Sequence, residues 1–160
     1  IGAGCGLPFT REGDVQLDAL FDRHMRFAGD RVYGEDASLV GGVAWLNDLR
    51  CVFIAAETSS STPAAFGKAA RMVRLAEQTG APCILVGAAT TLHLAAPADP
   101  RGAAAFDVYL AALASARGTR IAVAESSAVH SLTDAFDTVV SGTEVATVRA
   151  GLAAALAGRE

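Results

Sequence analysis

A chain of 160 residues fits a single domain and is long enough to bury a core. With 52% hydrophobic and 19% charged residues it does not read as a disordered chain. A net charge of −4 without a Lys/Arg cluster argues against a nucleic-acid surface, and no apolar run is long enough to cross a bilayer.

Residues 1–14 are glycine-rich and aperiodic, which predicts a linker or flexible arm before a domain over 15–160. Gly2-Ala3-Gly4-Cys5-Gly6 superficially looks like a dinucleotide loop, but no strand precedes it and Leu7-Pro8 follows in place of a helix. Leu17, Leu20, Phe21 and His24 fall at helical spacing and predict a helix over about Val15 to Phe27. Two strands follow, Val40–Leu46 and Cys51–Ala56, joined by Asn47-Asp48, a composition suited to a hairpin. Thr62-Pro63 starts a helix with a side-chain cap and a ring of fixed φ, and Gly80 closes it after Thr79.

Pro82 leads a buried strand, Cys83–Val86. Asp99-Pro100 repeats the cap-and-proline start for a helix ending at Gly118, and Arg120–Ala124 is the next strand. A short helix over Ala128–Ala135, a strand over Phe136–Val140 and an Ala-rich helix over Ala146–Ala157 complete the pattern. This alternation is that of an α/β domain with parallel pairing. Periodicity alone leaves open a doubly wound sheet or a ββα spiral.

Cys5, Cys51 and Cys83 are odd in number, and two lie in apolar strands, so buried thiols in a reducing, cytoplasmic compartment are expected. No basic n-region leads an apolar stretch at the start. The lack of an initiator Met suggests a processed or trimmed chain, or a piece of a larger one.

The segment Gly29-Asp30-Arg31-Val32-Tyr33-Gly34-Glu35-Asp36-Ala37-Ser38-Leu39-Val40-Gly41-Gly42 resembles the leading segment of the carboxyltransferase α subunit of acetyl-CoA carboxylase, G-D-R-x-F/Y-x-D-D-x-A-I-V-G-G-x-A. Gly67-Lys68-Ala69-Ala70-Arg71-Met72-Val73-Arg74-Leu75-Ala76-Glu77-Gln78-Thr79-Gly80-Ala81-Pro82 is similar to the same family's helix and strand start, Y-R-K-A-L-R-L-M-x-x-A-E-K-F-x-x-P. Phe136-Asp137-Thr138-Val139-Val140 matches its A-D-R-V-x strand. The resemblance covers roughly residues 15–150 in order. It implies the crotonase-like ββα spiral, a single small domain, and a substrate that is an acyl thioester.

Where that family carries its site, this chain differs. The H-Q-K-G loop is shortened to Glu57-Thr58-Ser59-Ser60-Ser61, and I-D-T-P-G-A-Y-P-G becomes Gly87-Ala88-Ala89-Thr90-Thr91-Leu92-His93-Leu94-Ala95. The glycine-rich oxyanion loop G-E-G-G-S-G-G-A becomes Ala124-Glu125-Ser126-Ser127-Ala128-Val129-His130-Ser131. Main-chain N–H groups aimed at a developing charge are worth about 3 kcal/mol each, and glycine lets them approach the ligand.

The His-Ser-Glu grouping of Glu125, Ser126, Ser127 and His130, which falls where the family keeps its oxyanion loop, marks the candidate catalytic groups. Glu57 at a strand end, and Ala89, Thr90 and His93 in a loop that borders the family's site, are the candidate substrate-binding groups. The plainer reading of each is a cap for Ser126 or Ser127, a solvated carboxylate for Glu57, and rim histidines for His93 and His130. Asp30-Arg31 reads as an ordering ion pair or cap, and Trp45 and Phe53 as core or interface anchors. The three histidines lack metal-ligand spacing, so no metal is expected.

The resemblance implies enolate stabilisation on an acyl-CoA or acyl carrier thioester, for carboxyl transfer or decarboxylation inside a larger assembly. Carboxybiotin or a CoA thioester would then be a substrate, with no cofactor bound directly. The implied partner is a carboxyltransferase β-like subunit in a homo- or hetero-oligomer, with neither nucleic acid nor membrane. Two other readings stay open: a non-catalytic degenerate subunit that scaffolds an active homologue, and a divergent thioester hydrolase or cyclase.

Overall fold

The fold is organised around the hairpin predicted at Asn47-Asp48. Strand β2 (Leu39–Leu46) turns back into β3 (Leu49–Ala56) through Asn47 at φ 50° and Asp48 at φ 66°. Positive φ at both central residues matches the right-handed twist of the flanking strands, and Asn and Asp tolerate it best after glycine. The computed structural model describes residues 17–28, 34, 36, 38–56, 62–97, 99–124, 136–142 and 144–158. In order these hold α1 (Leu17–Leu20), β1 (Arg23–Phe27), β2, β3, α2 (Pro63–Thr79), β4 (Cys83–Gly87), a 3-10 helix (Ala88–Leu94), α3 (Pro100–Ser115), β5 (Arg120–Ala124), β6 (Thr138–Ser141) and α4 (Val145–Ala157).

The six strands form one sheet in sequence order, antiparallel from β1 to β3 and parallel from β3 to β6. Steps that all advance in one direction by right-handed crossovers put their helices on one face. Accordingly α2, the 3-10 helix and α3 share one apolar core with Ile54, Leu85 and Ala122. On the other face, α1 and α4 cover Phe53, Ile84 and Val123.

Both predicted helix starts form. Thr62 Oγ1 accepts from Ala65 N–H at 3.2 Å, and Asp99 Oδ1 accepts from Gly102 N–H at 2.6 Å, each followed by proline in the first turn. Gly80 ends α2 in the left-handed conformation, φ 68°. The exit from α3 is held by Glu77 of α2, whose Oε2 accepts the N–H groups of Arg117 and Gly118, both at 3.0 Å.

The expected helix over Val15–Phe27 is corrected. Only Leu17–Leu20 is helical, and Arg23–Phe27 is a strand paired with Trp45–Gly41. Leu17, Leu20 and Phe21 are buried as the helical spacing required, but the pairing surface of β2 overrides local propensity beyond them. Gly42 makes that pairing close: a Cβ there would stand 1.8 Å from the Met25 carbonyl oxygen. The neighbouring Gly41 lies under α2, where a Cβ would meet Met72 Cγ at 2.8 Å. The Gly-Gly pair is therefore a packing device on both sides of β2.

Phe53 is in the core against Phe21, ring centroids 5.7 Å apart. Trp45 is half-buried beneath the Arg23 guanidinium, 4.2 Å from the ring centroid, a cation–π contact. Cys51 and Cys83 are buried free thiols. The arm over 1–14, Asp30-Arg31 and the helix predicted at Ala128–Ala135 lie outside the described residues.

Candidate functional site

In parallel α/β sheets, sites form beyond the carboxyl ends of the strands, where loops leave the layer. Here β3, β4 and β5 end side by side at Ala56, Gly87 and Ala124, with Ala56 in register with Gly87 and Val86 with Val123. The segments leaving Ala56 and Ala124 carry Glu57, Glu125, Ser126, Ser127 and His130, all outside the described residues. The middle exit, from Gly87 onward, is described in full to Pro97.

Gly87 turns the chain at φ 68°, ψ −130°, a conformation that residues with a Cβ rarely adopt. The 3-10 helix begins directly after it. Thr90 donates its hydroxyl to the Gly87 carbonyl at 2.6 Å, and Thr91 donates to Ala88 O at 3.2 Å. Ala89 and Thr90 are buried, 0% and 2% exposed. The Thr90 hydroxyl is therefore committed to holding the turn.

His93 belongs to the same 3-10 helix, one turn beyond Thr90. It sits near the far end of the 3-10 helix, half-buried, with its ring edge-on to Phe136 at a centroid distance of 6.1 Å. Together with Arg120, the first residue of β5, it lines a groove at the strand-entry side of the sheet. Ala89 and Thr90 follow the last residue of β4, and the length of β5 puts the two sides roughly 13 Å apart. Thr90 and His93 stand one 3-10 turn apart on the same face of that helix, and from there the groove runs toward Arg120 at the strand-entry side. Burial, and then the nearby Arg120 guanidinium, hold the His93 imidazole below its ordinary pKa of 6.5, which keeps it neutral at pH 7.

Arg120 was not singled out from the sequence. Its signal there is faint: a cation opening the otherwise apolar strand Arg120-Ile121-Ala122-Val123-Ala124. Burial pushes the Cys51 and Cys83 thiols up to about 12, so both are inert structural groups and not nucleophiles. Among the described residues no group of three or more His, Cys, Asp or Glu could hold a metal ion. No described helix is long and apolar enough to cross a membrane.

The two glycine-bearing segments, the capped helix after Thr62 and the sheet order together decide the ancestry. A model of the family described as acetyl co-enzyme A carboxylase carboxyltransferase-like matches residues 14–106, more than half of the chain. The chain belongs to this carboxyltransferase-like family. One relative, the acetyl-coenzyme A carboxylase carboxyl transferase subunit alpha of Clostridium acetobutylicum, is 31% identical over 98 residues, covering 54% of this chain and 36% of the relative. The chain thus spans about a third of the length of the curated carboxyltransferases it matches.

Solved carboxyltransferase-type structures share the fold. The Pseudomonas malonate decarboxylase MdcD-MdcE hetero-dimer aligns over 88% of this chain and 83% of its own, with a TM-score of 0.59 at 13% identity. The transcarboxylase 12S structure aligns over 81% of this chain and 28% of its own, with a TM-score of 0.55 at 18% identity. The fold is the crotonase-like α/β spiral expected from the sequence, with a single six-stranded sheet.

Proposed function

We propose that this carboxyltransferase-like chain binds an acyl thioester at the strand-exit edge formed by Ala56, Gly87 and Ala124, and works beside a second carboxyltransferase-type subunit. The observation that carries this reading is the Gly87 turn, whose glycine-favouring backbone starts a new helix at the middle exit of the parallel strands. The main-chain N–H of Ala89, which lies ahead of the first 3-10 bond, with those of Ser126 and Ser127 from the neighbouring exit, would face the thioester oxygen as negative charge develops on it, while Thr90 holds the turn. The chemistry is enolate stabilisation: the α-carbon of the acyl group takes up a carboxyl group in one direction and loses it in the other. Carboxybiotin or a CoA or carrier thioester enters as substrate.

The proposal of a second subunit rests on likeness to a two-chain assembly. The solved malonate decarboxylase hetero-dimer, which aligns over most of this chain, pairs two chains. One binding and turnover experiment tests the proposal. Calorimetry with acetyl-CoA and malonyl-CoA should show saturable binding by the chain with its co-produced partner, and radiolabelled carboxyl should exchange between malonyl-CoA and biotin. Absence of both, with the complex intact, overturns the catalytic reading.

A second reading, a degenerate subunit that scaffolds an active homologue, is favoured by one observation. The Ala89 and Thr90 side chains are buried and the Thr90 hydroxyl is bonded to its own chain. Under that reading, alanine substitutions at Ser127 and His130 leave the activity of the assembled complex unchanged.

A further inference from the structure

We propose that the groove between the C-terminal half of α3, the end of the 3-10 helix and the start of β5 is a second ligand site, which takes a small aliphatic carboxylate. The cavity is about 350 Å³, within the size range of small-molecule sites, and is lined by Leu110, Leu113, Phe136, His93 and Arg120 with two alanines. It lies at the strand-entry side of the sheet, so it is separate from the acyl-thioester edge and does not rest on that reading.

Among the described residues no carboxylate pairs with the Arg120 guanidinium in this groove. Arg120 Nη1 donates to the Leu113 carbonyl at 3.2 Å, which fixes the guanidinium beneath the end of α3. Its Nε is buried and has no hydrogen-bond partner. Asp137 accepts the Arg120 main-chain N–H at 2.7 Å, and no ion pair joins its carboxylate to the guanidinium. A buried donor without an acceptor is costly, and a cation without a counter-ion more so. A carboxylate at the guanidinium edge would supply both the acceptor and the charge, with the planar fork of arginine suited to it.

The rest of the wall selects the body of the ligand. Leu110, 36% exposed, stands at the rim, and Leu113 and Phe136 continue the apolar surface inward. His93 is neutral at pH 7 and can donate or accept one further hydrogen bond at the polar end. An alkyl chain of about eight carbons gains burial along this wall with each CH₂ it lays on the apolar surface. Short carboxylates lack that gain, and neutral alcohols lack the ion pair.

Calorimetry of the full chain at pH 7.5 with sodium octanoate, acetate and 1-octanol as probes tests the site. Octanoate should bind saturably at one site, with acetate and octanol at least about tenfold weaker. Arg120→Met, which keeps the apolar stem, and Leu110→Asp, which puts a like charge on the rim, should each weaken octanoate about tenfold or more. Because Arg120 also supports the end of α3, Leu110→Asp decides the matter if Arg120→Met fails to fold. Octanoate should also raise the pKa of His93 in an NMR titration, since a bound anion favours the imidazolium. No saturable octanoate binding, equal binding of acetate, an unmoved His93, or a folded Leu110→Asp protein that binds as tightly as wild type would each overturn the proposal.

Discussion

Thr62 donates its hydroxyl to Asp36 Oδ2 at 2.5 Å while the same oxygen accepts from Ala65 N–H at 3.2 Å. One side chain thus caps α2 and pins the segment that leads into β2. Asp36 in turn accepts from the Ser38 main chain at 2.9 Å, and Lys68, buried on α2, donates to the Leu39 carbonyl at 3.1 Å. The Lys68 contact joins the two sequence segments that carry the family resemblance, and the Thr62 contacts tie the first of them to the start of α2. Thr62→Ala should lower stability by about 1–2 kcal/mol in urea denaturation, and Thr62→Ser should restore most of it.

The Gly41-Gly42 pair should be separable by its two neighbours. Gly41→Ala crowds the flexible Met72 side chain, and its cost should fall in the double variant Gly41→Ala/Met72→Ala, a coupling that a double-mutant cycle reads directly. Gly42→Ala crowds the Met25 main chain, which has no side-chain torsion to yield. It should therefore release β1, seen as lost hydrogen-exchange protection over 23–27 with β3 to β5 still protected.

Tyr109 is 0% exposed, and its hydroxyl is buried without a hydrogen-bond partner. An unsatisfied buried hydroxyl is a stability cost, not a gain. Tyr109→Phe should raise stability by about 1 kcal/mol in urea denaturation. A loss of stability would show that the hydroxyl has an acceptor in solution.

Acid should destabilise the fold in two windows. His93 holds its proton more weakly when folded than its ordinary 6.5, because of burial and Arg120. The unfolded chain then binds more protons as pH falls below about 6.5, so this contribution is complete above that pH and is lost on acidification toward the folded value. Asp22 is lowered from 3.8 by the hydrogen bond from Arg149, and then by that from Asn47 N–H. Its contribution is present above pH 3.8 and is lost below it. Urea midpoints measured from pH 8 to pH 3 should fall in the upper window, and His93→Asn should remove that part alone.

Cys51 and Cys83 should resist alkylation in the native protein. Their thiols are pushed up to about 12 by burial, leaving almost no thiolate at pH 8. In a Cys5→Ser background, labelling with a chromogenic disulfide reagent should proceed only at the rate of unfolding. Fast labelling of either thiol in native protein would contradict the burial assigned to it.

Much of the fold was legible because local chemistry and tertiary demand agree. Thr62-Pro63, Asp99-Pro100, Gly80 and Asn47-Asp48 each encode a backbone conformation that holds whatever surrounds it. The helix expected to Phe27 failed at Arg23 because strand pairing is a non-local event, and the partner surface on β2 is not visible from residues 23–27. The 3-10 helix over Ala88–Leu94 was equally hidden: a run of Ala, Thr and Leu has no cap of its own, and its start depends on the Gly87 turn. In the candidate site, the chain showed which residues follow each strand but not that His93 would meet Phe136 and share a groove with Arg120.

By itself, then, the sequence determined the family, the α/β spiral, the helix starts and the hairpin, because each rests on residues adjacent along the chain or on motifs kept in order. Only the tertiary structure decided that Gly41 and Gly42 serve packing, that Thr90 bonds its own turn, and that Arg120 and His93 share a groove. Those outcomes depend on distances between segments far apart in the chain, and closing such contacts is a property of the whole packed core rather than of any one stretch.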